Sequence, residues 1–321
     1  IWGVVLAGLA QLSFVFIAAR RAGLRFGMKR PSLTPEVKRV WWLAVPGILA
    51  AGIGQINLLV GTSIATGQAG AAAWLYYADR LYQLPMGVIG VALSVALLPA
   101  LARHLAEAKT QAARDTQSMA VLAAGLLTLP AAAGLYALAT PIVALLFERG
   151  AFSAADTAVT AEVLRGFCLG LPAFVFIKAL QPSFFARQDT RAPLIDGAIG
   201  VGVNISLSLA FFESYGALAI ALATSAAGFV TLGLMLIRLA ARGIWRLDGP
   251  LLRRLLAQLL ACLGMAAALA HLSVFWPAPQ NASLALWVAG MVIIGAVIFI
   301  ALAIGFGALR RADWQNLRGR A

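Results

Sequence analysis

Acidic residues are scarce, with 12 Asp and Glu in 321 residues, and histidine and cysteine occur only twice each. His104 and His271 stand far apart, as do Cys168 and Cys262. That scatter argues against a zinc site or a disulfide framework, and the two cysteines read as buried structural thiols. No H-E-x-x-H, P-loop or G-x-S-x-G occurs. Gly200-Val201-Gly202 lies within an apolar run and reads as helix packing. No cofactor or metal is expected.

What fills the chain instead is hydrocarbon. Hydrophobic residues make up 62% and charged residues 12%, where a soluble domain is nearer 45–50% and about 25%. Apolar runs of about 20 residues recur, each long enough to cross roughly 30 Å of bilayer as a helix. Strand-like alternation is not seen, so a β-barrel is set aside. The reading is an all-α polytopic membrane protein of about nine spans, near 2–19, 38–66, 71–102, 116–139, 157–186, 192–212, 216–240, 252–275 and 283–308. Residue 1 is Ile, and the first run has neither a basic n-region nor an A-x-A site, so the sequence is expected to start inside a larger protein.

The net charge of +13 could suggest nucleic acid, but most of the 25 basic residues fall in alternate loops. They cluster at Arg20–Arg39, Arg103–Arg114, Arg187–Arg191, Arg238–Arg254 and Arg310–Arg320. The positive-inside rule makes those loops and the C-terminus cytoplasmic. Anionic lipid headgroups then account for the excess, and no nucleic-acid partner is expected.

Arg80, Arg149, Arg165 and Lys178 are left outside those loops. An ionisable side chain deep in a bilayer costs about 2.5–3.5 kcal/mol on insertion scales and usually faces a bundle interior or a wet cavity. Tyr76, Arg80 and Gln83 share one helical face, and Asp79 and Gln83 an overlapping one. Pro85 frees the Leu81 carbonyl, so a bend is expected beside this stripe. Two readings stand: the stripe lines a cavity, or it is an interfacial anchor that snorkels outward. Lys178 lies roughly 13 Å from the nearer basic loop, and Pro182 frees its carbonyl. Arg165 is nearer the outer end. Such cations suit a polyanion such as a pyrophosphate. A weaker set, Asn57, Asn204, Ser208 and Thr224, offers oxygens to a hard cation, although interhelical hydrogen bonds are the commoner use of such residues.

Three stretches, YYADRLYQLPMGVIGVALSVALLPALAR (76–103), LLFERGAFSAADT (145–157) and PSFFARQDTRAP (182–193), resemble the MurJ/MviN family of lipid II flippases, within the multidrug and polysaccharide-lipid exporter superfamily. The resemblance implies fourteen helices in two six-helix lobes plus a final pair. Residues 1–30 would then hold the sixth helix and a linker, 31–246 the second lobe, and 247–321 the last pair and a basic tail. It also implies transport, not catalysis, of an undecaprenyl-pyrophosphate-linked peptidoglycan precursor across the bacterial inner membrane, by alternating access. Arg80 would contact the headgroup, with Asp79 balancing charge and the last pair cradling the lipid tail. Membrane lipids and cell-wall synthesis proteins are the further partners implied. Gln83 stands where many relatives carry Glu, and Asn57 and Ser208 where some carry carboxylates, which weakens sodium coupling. The rivals are a polysaccharide-lipid or drug exporter, a lipid-linked transferase, for which Glu148, Asp156 and Glu213 form no recognisable site, and a transport-dead scaffold.

Overall fold

The computed structural model describes residues 2–23, 34–35, 59–279 and 283–309. The chain divides into two compact units, Ile1–Val45 and Pro46–Ala321. The first contains helix α1 (Trp2–Arg21), whose 20 residues end on Arg20 and Arg21. At 1.5 Å per residue it is about 30 Å long. Cations in a last helical turn sit favourably against the negative end of the helix dipole.

The second unit is helical throughout its described residues. After a helical segment over 59–65, α2 (Ala71–Pro85) passes through a π-helical turn (Met86–Val91) into α3 (Ala92–Ala106). Then come α4 (Thr110–Ala137), a short α5 (Ala139–Phe147), α6 (Ala154–Phe185), α7 (Arg191–Tyr215), α8 (Ala217–Ala241), α9 (Gly249–Phe275) and α10 (Leu284–Gly305). Counting α2–α3 as one, seven of the described runs are long and apolar enough to span a bilayer. Most of the second expected span, 38–66, lies outside the described residues.

The bend expected at Pro85 takes the form of the π-helical turn that follows it. Proline has no N–H for the carbonyl one turn back, and a wider turn absorbs the mismatch. The expected span 116–139 starts earlier, at Thr110, and breaks at Leu138. Pro141 lies in the first turn of the unanticipated α5, where proline's missing donor goes unneeded.

The axis of this unit is α6, with 67% of its most apolar stretch buried. Its Leu164, Phe167 and Leu171 pack with Leu81 and Tyr82 of α2, Ala124 of α4 and Ile220 of α8. A second cluster joins α9 to α10 through Met265, Leu269, Met291 and Phe299. Cys168 and Cys262 are free and buried, in separate clusters.

A buried polar contact ties α4 to the α6 backbone beside Pro182. Gln117 of α4 donates to the Ala179 carbonyl (3.0 Å), one turn before Pro182, and accepts from the Ser183 hydroxyl (2.6 Å). Helices α6 and α8 meet through small residues, with the Ser225 hydroxyl donating to the Gly166 carbonyl at 2.6 Å. A Cβ on Gly170 would stand 2.6 Å from the Ser225 Cα, which is backbone and cannot step aside. Gly170→Ala is therefore expected to force the helices apart and cost about 1–3 kcal/mol, the usual range for overpacking. Gly202→Ala, whose Cβ meets nothing within 4 Å, is the control. Thermal unfolding of both variants in detergent checks this, and equal midpoints would refute it.

Candidate functional site

Helix α2 turns Ala78, Leu81 and Tyr82 into the core. The opposite face is exposed and carries Tyr76, Arg80 and Leu84, continued by Val88, Val91 and Val95. Arg80 stacks on the Tyr76 ring one turn back, with its guanidinium carbon 4.7 Å from the centroid. Asp79 is half-buried and takes a hydrogen bond from the Gln83 amide. No carboxylate among the described residues comes within ion-pair distance of Arg80, the neighbouring Asp79 included, and the Tyr76 ring is its described close contact. Tyr76, Asp79, Arg80 and Gln83 thus form one patch, as their spacing predicts.

The patch is pinned from the α6 end. Trp74 donates to Asp156 at 2.8 Å, and Asp156 closes a capping box with Ser153 at the start of α6. Thr157 donates to Glu148 at 2.7 Å. The LLFERGAFSAADT stretch is thereby a helix-start device that fixes where α2 stands.

Lys178 is elsewhere. Its stem packs on the π-helical turn, with Cγ 3.2 Å from where a Gly90 Cβ would be. Arg80 and Gly90 are ten residues apart on one helical run, about 15 Å at helical rise. The Lys178 stem thus meets this helical run about 15 Å along it from Arg80. Lys178, Asn204 and Thr224 line a cavity of about 260 Å³ between α6, α7 and α8, together with Gln181 and Thr231. Lys178 has no ion-pair partner among the described residues.

Asn204 donates to the Thr224 hydroxyl at 3.2 Å and accepts from Ser208 at 3.0 Å, and Thr224 itself donates to the Ile220 carbonyl at 2.8 Å. These bonds tie α7 to α8, and Lys178 lines the same cavity. Asn57 lies outside the described residues. Arg165 points to α4 and α5, donating to Thr140 at 3.0 Å and to the Tyr136 carbonyl at 3.4 Å.

Two features have no counterpart among the residue patterns singled out above, although the resemblance implies an apolar groove at the last helix pair. The first is an apolar cavity of about 530 Å³ between α2, α4, α5, α9 and α10, lined by Leu84, Pro85, Leu146, Met265 and Val292 among others. Leu84 is one turn from Arg80, so the cationic patch borders hydrocarbon-lined space. The second is a bidentate ion pair between α7 and α8, from Arg238 to the fully buried Asp196 at 2.5 and 3.2 Å. The signal for it was present: Asp196 is a lone carboxylate in an apolar run, and Arg238 interrupts another.

Comparison with known proteins puts this geometry in context. The family model described as lipid II flippase MurJ matches residues 1–301. A probable lipid II flippase MurJ of Rhizobium meliloti (strain 1021) is 47% identical over 312 residues, 95% of this chain and 58% of that protein. One from Rhizobium tropici is 42% identical, over 95% and 57%. The chain thus spans somewhat under three fifths of the length of these relatives. A solved lipid II flippase MurJ in an inward closed conformation superposes with a TM-score of 0.70 at 25% identity, over 86% of this chain and 56% of that one. An outward-facing multidrug resistance MATE transporter shares the fold at a TM-score of 0.58 and 16% identity, over 82% and 63%. A multi-pass helical architecture, the motif-bearing patch at Tyr76–Gln83 and a family match across 301 residues agree, and the chain belongs to the lipid II flippase MurJ family.

Proposed function

We propose that the full-length protein moves a polyprenyl-pyrophosphate-linked peptidoglycan precursor from the cytoplasmic to the outer leaflet of the bacterial inner membrane, releasing it chemically unchanged. The observation that carries this reading is the adjacency on α2 of the exposed Arg80, stacked on Tyr76, and, one turn on, the Leu84 rim of the apolar cavity. An amphiphile with an anionic head and a long hydrocarbon tail needs that pair of surfaces side by side. A guanidinium makes charge-assisted, bidentate bonds to phosphate oxygens, and the apolar cavity receives the tail.

In this reading Arg80 and Tyr76 contact the pyrophosphate, while Asp79, held by Gln83, moderates the positive potential. Lys178 is a second cationic station, meeting the same helical run about 15 Å further along. Arg165, held by Tyr136 and Thr140, acts as a tie between α6 and the α4–α5 junction. The nine-span topology with a cytoplasmic C-terminus belongs to the same proposal. So do α1 as the family's sixth helix, the six-helix lobe over 31–246, and the closing pair over 247–321. Nothing in the described patch supplies a nucleophile beside a general base, which favours transport over transfer chemistry.

The test is growth of cells depleted of their own lipid II flippase and supplied with the full-length protein. Rescue, with the precursor becoming accessible outside, is the expected result. Failure at normal membrane abundance would overturn the proposal and favour a polysaccharide-lipid or drug exporter.

A further inference from the structure

At the basic ends of α4, α6 and α8, opposite the Arg80 end, two guanidiniums have no carboxylate partner among the described residues. Ser183 of α6 bonds Gln117 of α4, and Trp245, beyond α8, donates to Ser118 at 2.9 Å. These contacts form one bonded layer across three elements. Arg114 lies one turn before it on α4, and Arg187 one turn after it beyond α6. Because the two helices are antiparallel, both arginines emerge on the same side of the layer, at the membrane end.

Each is fixed by backbone carbonyls. Arg114 donates to Gly243 (2.7 Å) and Ile244 (3.1 Å), and half-buried Arg187 donates to Ser183 (2.7 Å). A guanidinium has five N–H donors, so most remain unused on both. The described acids at this end are engaged elsewhere: Glu107 by Lys109, Asp115 by Gln111, Asp189 by Arg242, and Asp248 as the cap of α9. Burial, and then the like charge of Arg114, lower the Arg187 pKa, the electrostatic mark of two neighbouring cations with no counter-charge among the described residues.

We infer that Arg114 and Arg187 form a binding site for a phosphate group, supplied by the headgroup of an anionic phospholipid or by free phosphate. The forked guanidinium geometry matches phosphate oxygens, and the site lies where headgroups lie, at the end of three spans. Filling it would clamp α4 to the α6–α7 and α8–α9 connections. This inference is independent of what the protein transports.

The test uses the purified full-length protein, with thermal midpoints read in detergent with inorganic phosphate against chloride at equal ionic strength. A second arm compares phosphatidylcholine vesicles with and without phosphatidylglycerol. Stabilisation in the first arm identifies free phosphate, and in the second arm alone the lipid headgroup. Arg187→Gln, which removes a single carbonyl contact, is expected to weaken the response about tenfold in apparent affinity, as loss of one charge-assisted bond implies. Arg114→Gln with Arg187→Gln should abolish it. Arg103→Gln, an exposed cation elsewhere on the same face, should leave it intact. No response to either phosphate source, or a response surviving in Arg187→Gln or falling equally in Arg103→Gln, would overturn the site.

Discussion

Arg80→Ala in the full-length protein is expected to abolish growth support in cells depleted of their lipid II flippase, while membrane abundance stays normal. The reason lies in what Arg80 touches. It is exposed, its described contact is the Tyr76 ring, and no carboxylate among the described residues comes within ion-pair distance of it. Truncation therefore removes no core packing, and a surface change of this kind usually shifts stability by no more than about 0.5 kcal/mol. A charge-assisted bond to an anionic ligand contributes about 1.5–3 kcal/mol, so binding of the pyrophosphate should weaken roughly 10- to 100-fold. Arg80→Lys keeps the charge but loses the fork, and partial rescue is expected. Tyr76→Ala, which frees the guanidinium from its ring, should reduce support more mildly. Full rescue by Arg80→Ala would return this residue to an interfacial anchor. Loss of abundance in parallel with loss of growth would make it structural.

How much of this was legible beforehand depends on the length scale of each signal. The apolar runs and the basic loops are properties of 20-residue windows, and seven described spans follow them closely. The Tyr76–Gln83 patch was legible because its members are three or four residues apart on one helix, where spacing alone sets neighbours. Lys178 was not, since its relation to Arg80 depends on how α6 lies against the π-helical turn, and no local pattern encodes that position. The apolar cavity is assembled from five helices and has no sequence signature at all. The break at Leu138 was within reach, because Thr140-Pro141 marks a restart. So was the capping box, because Ser153 and Asp156 stand three residues apart. The ARQDTR segment holds a further local signal in Asp189, which follows α6 and precedes α7.

Asp189 gives that segment a pH dependence of known sign. Burial alone would raise its carboxyl, but hydrogen bonds from Arg242 and from the Ala192 and Arg191 amides outweigh it and hold the group below its ordinary 3.8. Its folded value is thus depressed, so its stabilising contribution is complete above the unfolded value and disappears as pH falls through the lower folded one. Asp189→Asn should accordingly lower the unfolding midpoint at pH 6 and lower it less once the pH is taken well below 3.8. An equal loss at both pH values would show that the charge is irrelevant.

The ion pair between α7 and α8 carries the largest expected stability effect. Asp196 is fully buried and Arg238 bonds both its oxygens, whereas the Arg238 side chain keeps 30% exposure. That asymmetry sets the order of the mutants. Removing Arg238 strands a carboxylate where no water reaches it, so Arg238→Met should cost about 3–5 kcal/mol, the range for breaking a buried pair. Removing Asp196 strands a guanidinium that can reach the headgroup region, so Asp196→Leu should cost less, on the order of 2–3 kcal/mol. Replacing both removes the desolvated charges together, and the double variant should be more stable than the sum of the single losses allows. Unfolding of the three purified variants in detergent measures this. Additive losses would mean that the charges act independently and that α7 is held to α8 by packing alone. A double variant that is stable yet inactive would mean that the pair is kept for a state of the transport cycle, since its contribution to folding would then be replaceable.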